Sequence, residues 1–174
     1  MTSAELRREM QRHVAMVSVV GTTVRTMAPS GSTKRIQGFL KSLDLCLVSD
    51  TDADRFAETL DNLTEQLRNV GENEPLYWGP ARKFINLFLR DATYNCLLRH
   101  DYRLHSIEPF LELPLDSHVA TALRADYEGI ALPEFTRVID VDPVFSASYQ
   151  TVASAIAARE GVVRVHLDLK YWRP

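Results

Sequence analysis

The apolar residues between positions 56 and 70 recur at the spacing of a helix, and this pattern constrains the fold more than any other. The side chains that share one helical face are Phe56, Leu60, Leu63, Leu67 and Val70. The polar run Asp50-Thr51-Asp52 provides N-capping side chains before them, and Gly71 provides a stop signal after them. The segment therefore predicts an amphipathic helix with one buried face.

Similar spacing recurs along the rest of the chain, which contains only 7 Gly and 8 Pro. So few chain-breaking residues favour helices over a many-stranded sandwich or barrel. Further helices are predicted at 3–27, with Ser3 as N-cap, and at 33–43, 80–98, 116–124, 146–159 and 163–172, with a strand as the alternative at 162–169 and with 99–107 and 126–143 as connections. We expect an all-α protein in which residues 1–174 form a single compact domain of roughly seven to nine helices.

The sequence speaks against several classes of protein. No apolar run approaches the roughly 20 residues needed to span a bilayer, and the first ten residues are charged, so we expect a cytoplasmic protein without membrane contact. Cys46 and Cys96 are far apart and have no other ligand-type residues at metal-binding spacing. We therefore expect two buried thiols, no metal and no cofactor.

The charges are distributed in blocks, although the net charge is only −3. Residues 1–42 have seven Lys and Arg against two acids, residues 43–76 have two against nine, and residues 77–105 have five against two. An anionic ligand responds to the local field, so a basic surface is compatible with a mildly acidic protein. Arg99 and Arg103 lie in a basic loop and are candidate contacts for phosphate groups.

Two segments contain the residues that point to chemistry. The hairpin-like segment 76–97 includes Trp78-Gly79-Pro80-Ala81-Arg82-Lys83, a tight Gly-Pro entry to a helix with a lysine in its first turns. The segment 113–124 begins Leu113-Pro114-Leu115-Asp116-Ser117-His118-Val119 and places a carboxylate at a helix start.

Together these segments resemble the helix-hairpin-helix superfamily of DNA glycosylases. Leu115-Asp116-Ser117-His118-Val119 is similar to the catalytic aspartate motif of that superfamily, and Lys83 is similar to the Schiff-base lysine of its bifunctional members. The two residues are 33 positions apart, a spacing that resembles the archaeal 8-oxoguanine glycosylase branch. The tail 161–172 also resembles the closing His-Leu-Asp helix of that branch. The resemblance implies the helix-hairpin-helix glycosylase fold.

The resemblance also implies roles for individual residues. Asp116 would stabilise the oxocarbenium character that develops on the sugar when an N-glycosidic bond breaks. Lys83, made nucleophilic by partial desolvation and by its cationic neighbour Arg82, would form a Schiff base and permit strand cleavage. The implied function is excision of a damaged or modified base from DNA by an N-glycosylase, with AP-lyase activity if Lys83 is suitably placed.

Further candidates follow from what an extruded base and a DNA backbone require. The residues expected to contact the base are Tyr77, Trp78, Asn86 and His118, and those expected to contact nucleic acid are Gly79, Arg82, Arg99 and Arg103. Each has a simpler interpretation as well. Asp116 can be only a helix cap, Lys83 can be solvated, and the aromatic residues can be packing groups.

Two other functions fit the same sequence. A nucleoside or nucleotide N-glycosidase would need no extended DNA surface and suits the acidic net charge. A non-catalytic helical interaction protein would have Asp116 as a cap, Lys83 in solvent and no pocket between them. The expected partner is therefore DNA or a nucleotide, and the sequence does not indicate an oligomeric state.

Overall fold

Helices account for all of the regular structure that the computed structural model describes, namely residues 1–71, 74–129 and 131–172. No strand occurs in these ranges, so the predicted all-α class is confirmed. The helices are α1 Ser3–Ser18, α2 Gly21–Val24, α3 Ser32–Ser42, α4 Ala53–Arg68, α5 Trp78–Tyr94, α6 Cys96–Asp101, α7 Ser117–Asp126, α8 Pro143–Glu160 and α9 Leu167–Tyr171. Short 3₁₀ turns lie between several of them.

The best predicted helix is α4, whose capping follows the sequence closely. The Asp52 carboxylate accepts a hydrogen bond from the backbone N–H of Arg55 at 2.9 Å, and Phe56, Leu60, Leu63 and Leu67 are buried. The helix ends at Arg68, and its C-cap Asn69 lies two residues before the predicted stop at Gly71. Asp116 is likewise the N-cap of α7, as its position predicted.

The predicted 3–27 helix is interrupted, which corrects both its start and its length. Thr2, rather than Ser3, is the N-cap, and with Glu5 it forms a capping box. The helix stops at Ser18 because Val19 leaves the helical backbone region and Val20 is extended, and the chain then forms the single turn α2.

The predicted 80–98 helix also divides. It begins at Trp78 and ends at Tyr94, where the Asn95 side chain accepts from the Leu98 N–H at 3.1 Å and so caps α6. Residues 99–101, predicted to be loop, are therefore helical. At the C-terminal end the strand alternative is wrong, since 164–166 form a 3₁₀ turn and α9 follows directly.

Two clusters of buried apolar residues make up the interior, with α5 between them. The first is formed by α1, α3, α4, the apolar face of α5 and the segment through Leu111. The second is formed by Leu113, Leu115, α7 and α8 together with Leu167. The polar face of α5 lies against the second cluster, and the candidate site lies at that contact.

Two further findings bear on the expected properties of the protein. Both cysteines are exposed, so the prediction of buried thiols is wrong: Cys46 lies in a surface 3₁₀ turn and Cys96 in the first turn of α6. Within residues 1–71, 74–129 and 131–172, none of the helices combines the length and the apolar character that a bilayer crossing requires.

Candidate functional site

The polar face of α5 presents four side chains towards the second apolar cluster and the segment that leads into it. Arg82 and Asn86 contact Glu112, Lys83 contacts Asp116, and Arg90 contacts Asp168 at the start of α9. Asn86 lies three to four residues after Lys83 and Arg82, and Arg90 lies four residues after Asn86, so the four side chains share one helical face. The sequence segments with predicted chemistry are therefore joined through this face of α5.

Lys83 and Asp116, which lie 33 positions apart in the chain, form an ion pair. The Lys83 ammonium donates to Oδ2 of Asp116 at 3.2 Å, and the two side chains are 8% and 34% exposed. The other oxygen, Oδ1, accepts from the backbone N–H groups of His118 and Val119 at 3.0 Å each. One carboxylate thus both caps α7 and pairs with Lys83, and the catalytic role that the sequence gave as the alternative to capping stays a prediction.

The surroundings of Asp116 favour its ionised form. Burial alone would raise the pKa, but the positive charge of Lys83 and the hydrogen bonds from Val119, Lys83 and His118 outweigh it and lower the pKa of Asp116. Asp168 shows the opposite balance. Burial raises its pKa in spite of the Arg90 charge, and the negative charge of nearby Asp116 acts in the same direction.

Lys83 and Asp116 line a cavity of about 310 Å³. The remaining lining comes from the turn after α2, the first residue of α7 and a segment before α8, and consists of Thr26, Met27, Ser117, Phe135, Thr136, Arg137, Val138 and Ile139. Ligand pockets range from roughly 300 to 1,000 Å³, so this cavity suits a small ligand such as a single nucleotide unit. Apolar walls with a few converging polar groups are typical of such pockets.

Arg82 is surrounded by partners and faces the protein interior. Its guanidinium bonds both Glu112 oxygens at 2.8 and 3.0 Å, the Asp61 carboxylate at 2.8 Å and the Thr64 hydroxyl at 3.0 Å. Burial would raise the pKa of Glu112, but hydrogen bonds and charge attraction from Arg82, with a further bond from Asn86, lower it. The contact of Arg82 with DNA stays a prediction, and the bonds observed here are all to protein groups.

Asn86 is buried beside this cluster with one polar atom unused. Its Nδ2 donates to Glu112 at 3.0 Å, and its Oδ1 is a buried acceptor with no partner among the described residues. Asn86 and Lys83 border a second, small cavity of about 10 Å³ behind Trp78, room for about one water molecule. A contact between Asn86 and an extruded base stays a prediction.

Gly79 is required by a close approach of two protein segments. A Cβ at this position would lie 2.0 Å from the Val138 carbonyl oxygen and 2.9 Å from the Val141 Cβ. No other residue fits without displacing the segment that lines the larger cavity. The predicted phosphate contact at Gly79 is untested, and packing alone accounts for the glycine.

The remaining predicted residues lie at different depths. Tyr77 is 62% exposed, His118 is exposed on the first turn of α7, and Trp78 is half-buried with its ring 5.2 Å from the Arg82 guanidinium carbon. Phe84, at the same end of α5, belongs entirely to the core. None of Tyr77, Trp78 and His118 lines the 310 Å³ cavity.

Arg99 and Arg103 are paired with carboxylates outside both cavities. Arg99 donates to Glu108 at 2.7 Å, and Arg103 lies 2.8 Å from Asp50. Their role as phosphate contacts stays a prediction.

Three residues that the sequence did not single out lie at this face of α5 or at the larger cavity: Glu112, Asp168 and Arg137. Glu112 was detectable in principle, because it interrupts the apolar run around Leu111 and Leu113. Asp168 lay in the tail motif without an assigned role, and Arg137 lay in a segment predicted only as a connection.

Within the described residues, no three side chains of the metal-ligating types come close enough to hold a metal ion.

Comparison with known proteins does not assign this chain to a family, so the site is interpreted from its sequence and geometry. No protein-family model matches the chain, and no curated protein or solved structure matches it.

Proposed function

We propose that this protein is an N-glycosylase that removes a base from DNA and has Schiff-base lyase activity. The observation that carries the proposal is the 3.2 Å contact between Lys83 Nζ and Asp116 Oδ2 at the wall of the 310 Å³ cavity. The motif resemblance supports it, because the same lysine and aspartate are the residues that it selects.

Asp116 would act through its charge. Breaking the C1′–N bond leaves positive character on the sugar, and a fixed carboxylate next to C1′ stabilises that state more than the ground state. The lowered pKa keeps Asp116 ionised at neutral pH. Its two backbone hydrogen bonds hold the carboxylate in place, so little reorganisation is needed during the reaction.

Lys83 would act as the nucleophile. The electron pair of the C1′–N bond leaves with the base, while Lys83 gives one ammonium proton to that base and uses the freed lone pair to bond C1′. Asp116 stays ionised during this step. When the C1′–O4′ bond then breaks, a second amine proton passes to O4′ and leaves a protonated imine, which acidifies the C2′ hydrogens. The Asp116 carboxylate accepts a C2′ proton as the 3′-phosphate leaves.

A non-catalytic role fits these observations less well. That interpretation predicts Lys83 in solvent and no pocket beside Asp116, whereas Lys83 is buried and a cavity is present. A nucleotide N-glycosidase is the second candidate. The observation that supports it is the size of the cavity, which suits a single nucleotide.

Borohydride trapping tests the proposal directly. Wild-type protein is incubated with DNA containing 8-oxoguanine, other damaged purines, uracil or an abasic site, and a covalent adduct is expected with at least one of them. Lys83→Gln retains a hydrogen-bond donor towards Asp116 and should form no adduct. Lys170→Gln is the matched control, because Lys170 also pairs with carboxylates, Asp126 and Glu160, but outside the cavity. Equal trapping by Lys83→Gln and wild type would overturn the Schiff-base assignment.

A further inference from the structure

Arg137 lines the cavity that Lys83 and Asp116 also line. Its side chain is 68% exposed, and the Asp140 carboxylate orients its guanidinium group. Nε donates to Asp140 Oδ2 at 2.9 Å and Nη2 donates to Oδ1 at 2.8 Å. The Thr136 hydroxyl bonds the same carboxylate at 3.0 Å, which holds the acceptor in place as well.

This arrangement leaves part of the guanidinium available for a ligand. Arginine has five N–H donors, and Asp140 uses two of them. The other three have no acceptor among the described residues. Ser117 and Thr26 line the same cavity, and neither hydroxyl donates a hydrogen bond within the described part of the chain. Guanidinium and hydroxyl donors together are the groups that bind phosphate oxygens.

We infer that Arg137 binds a backbone phosphate of DNA, next to the nucleotide whose base is removed. The inference rests on the proposed function and adds the group that would hold the sugar against Lys83 and Asp116. Phosphate contacts position a nucleic acid without reading its sequence. Arg137 is therefore a positioning contact, and it differs from Arg99 and Arg103 in lining the reacting cavity.

A double-mutant cycle, which combines substitutions of Arg137 with neutral replacements of single DNA phosphates, tests this inference. The probe is an oligonucleotide with one tetrahydrofuran abasic site, whose flanking phosphates are replaced one at a time by uncharged methylphosphonates. It is offered as a single strand and as a duplex, and the form that wild type binds more tightly is used. Affinities are measured for wild type, Arg137→Gln and Arg137→Lys.

For wild type, one of the two replacements should weaken binding roughly tenfold, as expected for loss of charge-assisted hydrogen bonds. For Arg137→Gln the same replacement should have less than a twofold effect, and Arg137→Lys should lie between the two. Arg12→Gln is the matched control, because Arg12 forms an exposed i, i+3 pair with Glu9 as Arg137 does with Asp140. It should respond to the replacements as wild type does.

Several results would overturn the inference. One is equal sensitivity of Arg137→Gln and wild type to both phosphate replacements. Another is failure of wild type to bind the probe. A third is an Arg12→Gln variant that loses its sensitivity to the replacements as fully as Arg137→Gln does. Deoxyadenosine 5′-monophosphate that competes as well as the oligonucleotide would also overturn it, and would favour the nucleotide glycosidase. The binding assay needs no turnover, so its outcome is independent of borohydride trapping. If Arg137→Gln abolishes the effect of the phosphate replacement but no adduct is trapped, the proposed reaction is rejected and the phosphate contact is retained.

Discussion

Arg82 and Lys83 are neighbours on α5 with the same charge and similar burial, but the structure surrounds them differently. Arg82 bonds two carboxylates and a hydroxyl, and its side chain faces the contact between α4 and the Leu111–Leu115 segment. Lys83 has a single carboxylate partner and borders a cavity. The number of partners and the adjacent empty volume, rather than charge or burial, therefore distinguish a structural cation from one that is available for chemistry.

The largest expected effect concerns the structural cation. Arg82→Met leaves the Glu112 carboxylate buried without its partner, and breaking a buried pair in this way costs about 3–5 kcal/mol of unfolding free energy. Lys83→Met should cost less than half as much, because Asp116 keeps two backbone hydrogen bonds and partial exposure to solvent. Urea unfolding of both variants measures the difference.

Two controls sharpen this result. Arg12→Met removes an exposed ion pair and should change stability by no more than about 1 kcal/mol. The double variant Arg82→Met/Glu112→Leu removes both charges and should recover more than half of the loss. If Lys83→Met destabilises the protein as much as Arg82→Met, the two cations are equally structural.

Asp116→Asn tests whether the partner of Lys83 takes part in chemistry. Asparagine caps a helix about as well as aspartate, so α7 should persist, but the negative charge beside the sugar is lost. We expect single-turnover base release to fall by about 10²–10³, the usual cost of removing one preorganised electrostatic contact. Circular dichroism checks the helix content. Activity within a few-fold of wild type, on a substrate that wild type cleaves, would make Asp116 a cap alone.

The sequence predicted the helices better than it predicted their ends or the site. Apolar spacing located α4 and α8, because periodicity reports which face is buried. It could not show that Asn95 caps a new helix within a continuing pattern. It selected Lys83 and Asp116 through a local motif, and the interrupted apolar run made Glu112 detectable. The pairing of Glu112 with Arg82 and the place of Arg137 in the cavity depend on contacts between distant segments, which no local pattern encodes.

A smaller effect is expected from the pH dependence of the Arg82 cluster. Glu112 has a folded-state pKa below its ordinary 4.5, so its stabilising effect is complete above that pH and is lost as pH falls through the folded-state value. Glu112→Gln should be less stable than wild type by about 1.5–3 kcal/mol at neutral pH. The gap should narrow in acid, as urea unfolding at a series of pH values would show. A gap that is constant with pH would contradict the ionised pair.

The smallest effect is expected at the basic loop. Two free phosphate contacts would contribute about two units to the slope of log affinity against log salt. Arg99 and Arg103 lie outside the cavity that Lys83 and Asp116 line, so replacing both with Gln should change the slope for duplex DNA by less than one unit. A full reduction of two units would place this loop in the DNA interface and restore the original prediction.

The double use of the Asp116 carboxylate makes the first turn of α7 a built-in reporter of the site. The amide protons of His118 and Val119 bond one oxygen while Lys83 bonds the other. Any event that withdraws Lys83 or neutralises the carboxylate changes the acceptor strength felt by these two protons. Their exchange rates and chemical shifts would then record occupancy of the cavity in real time, without a labelled substrate and before any bond is broken.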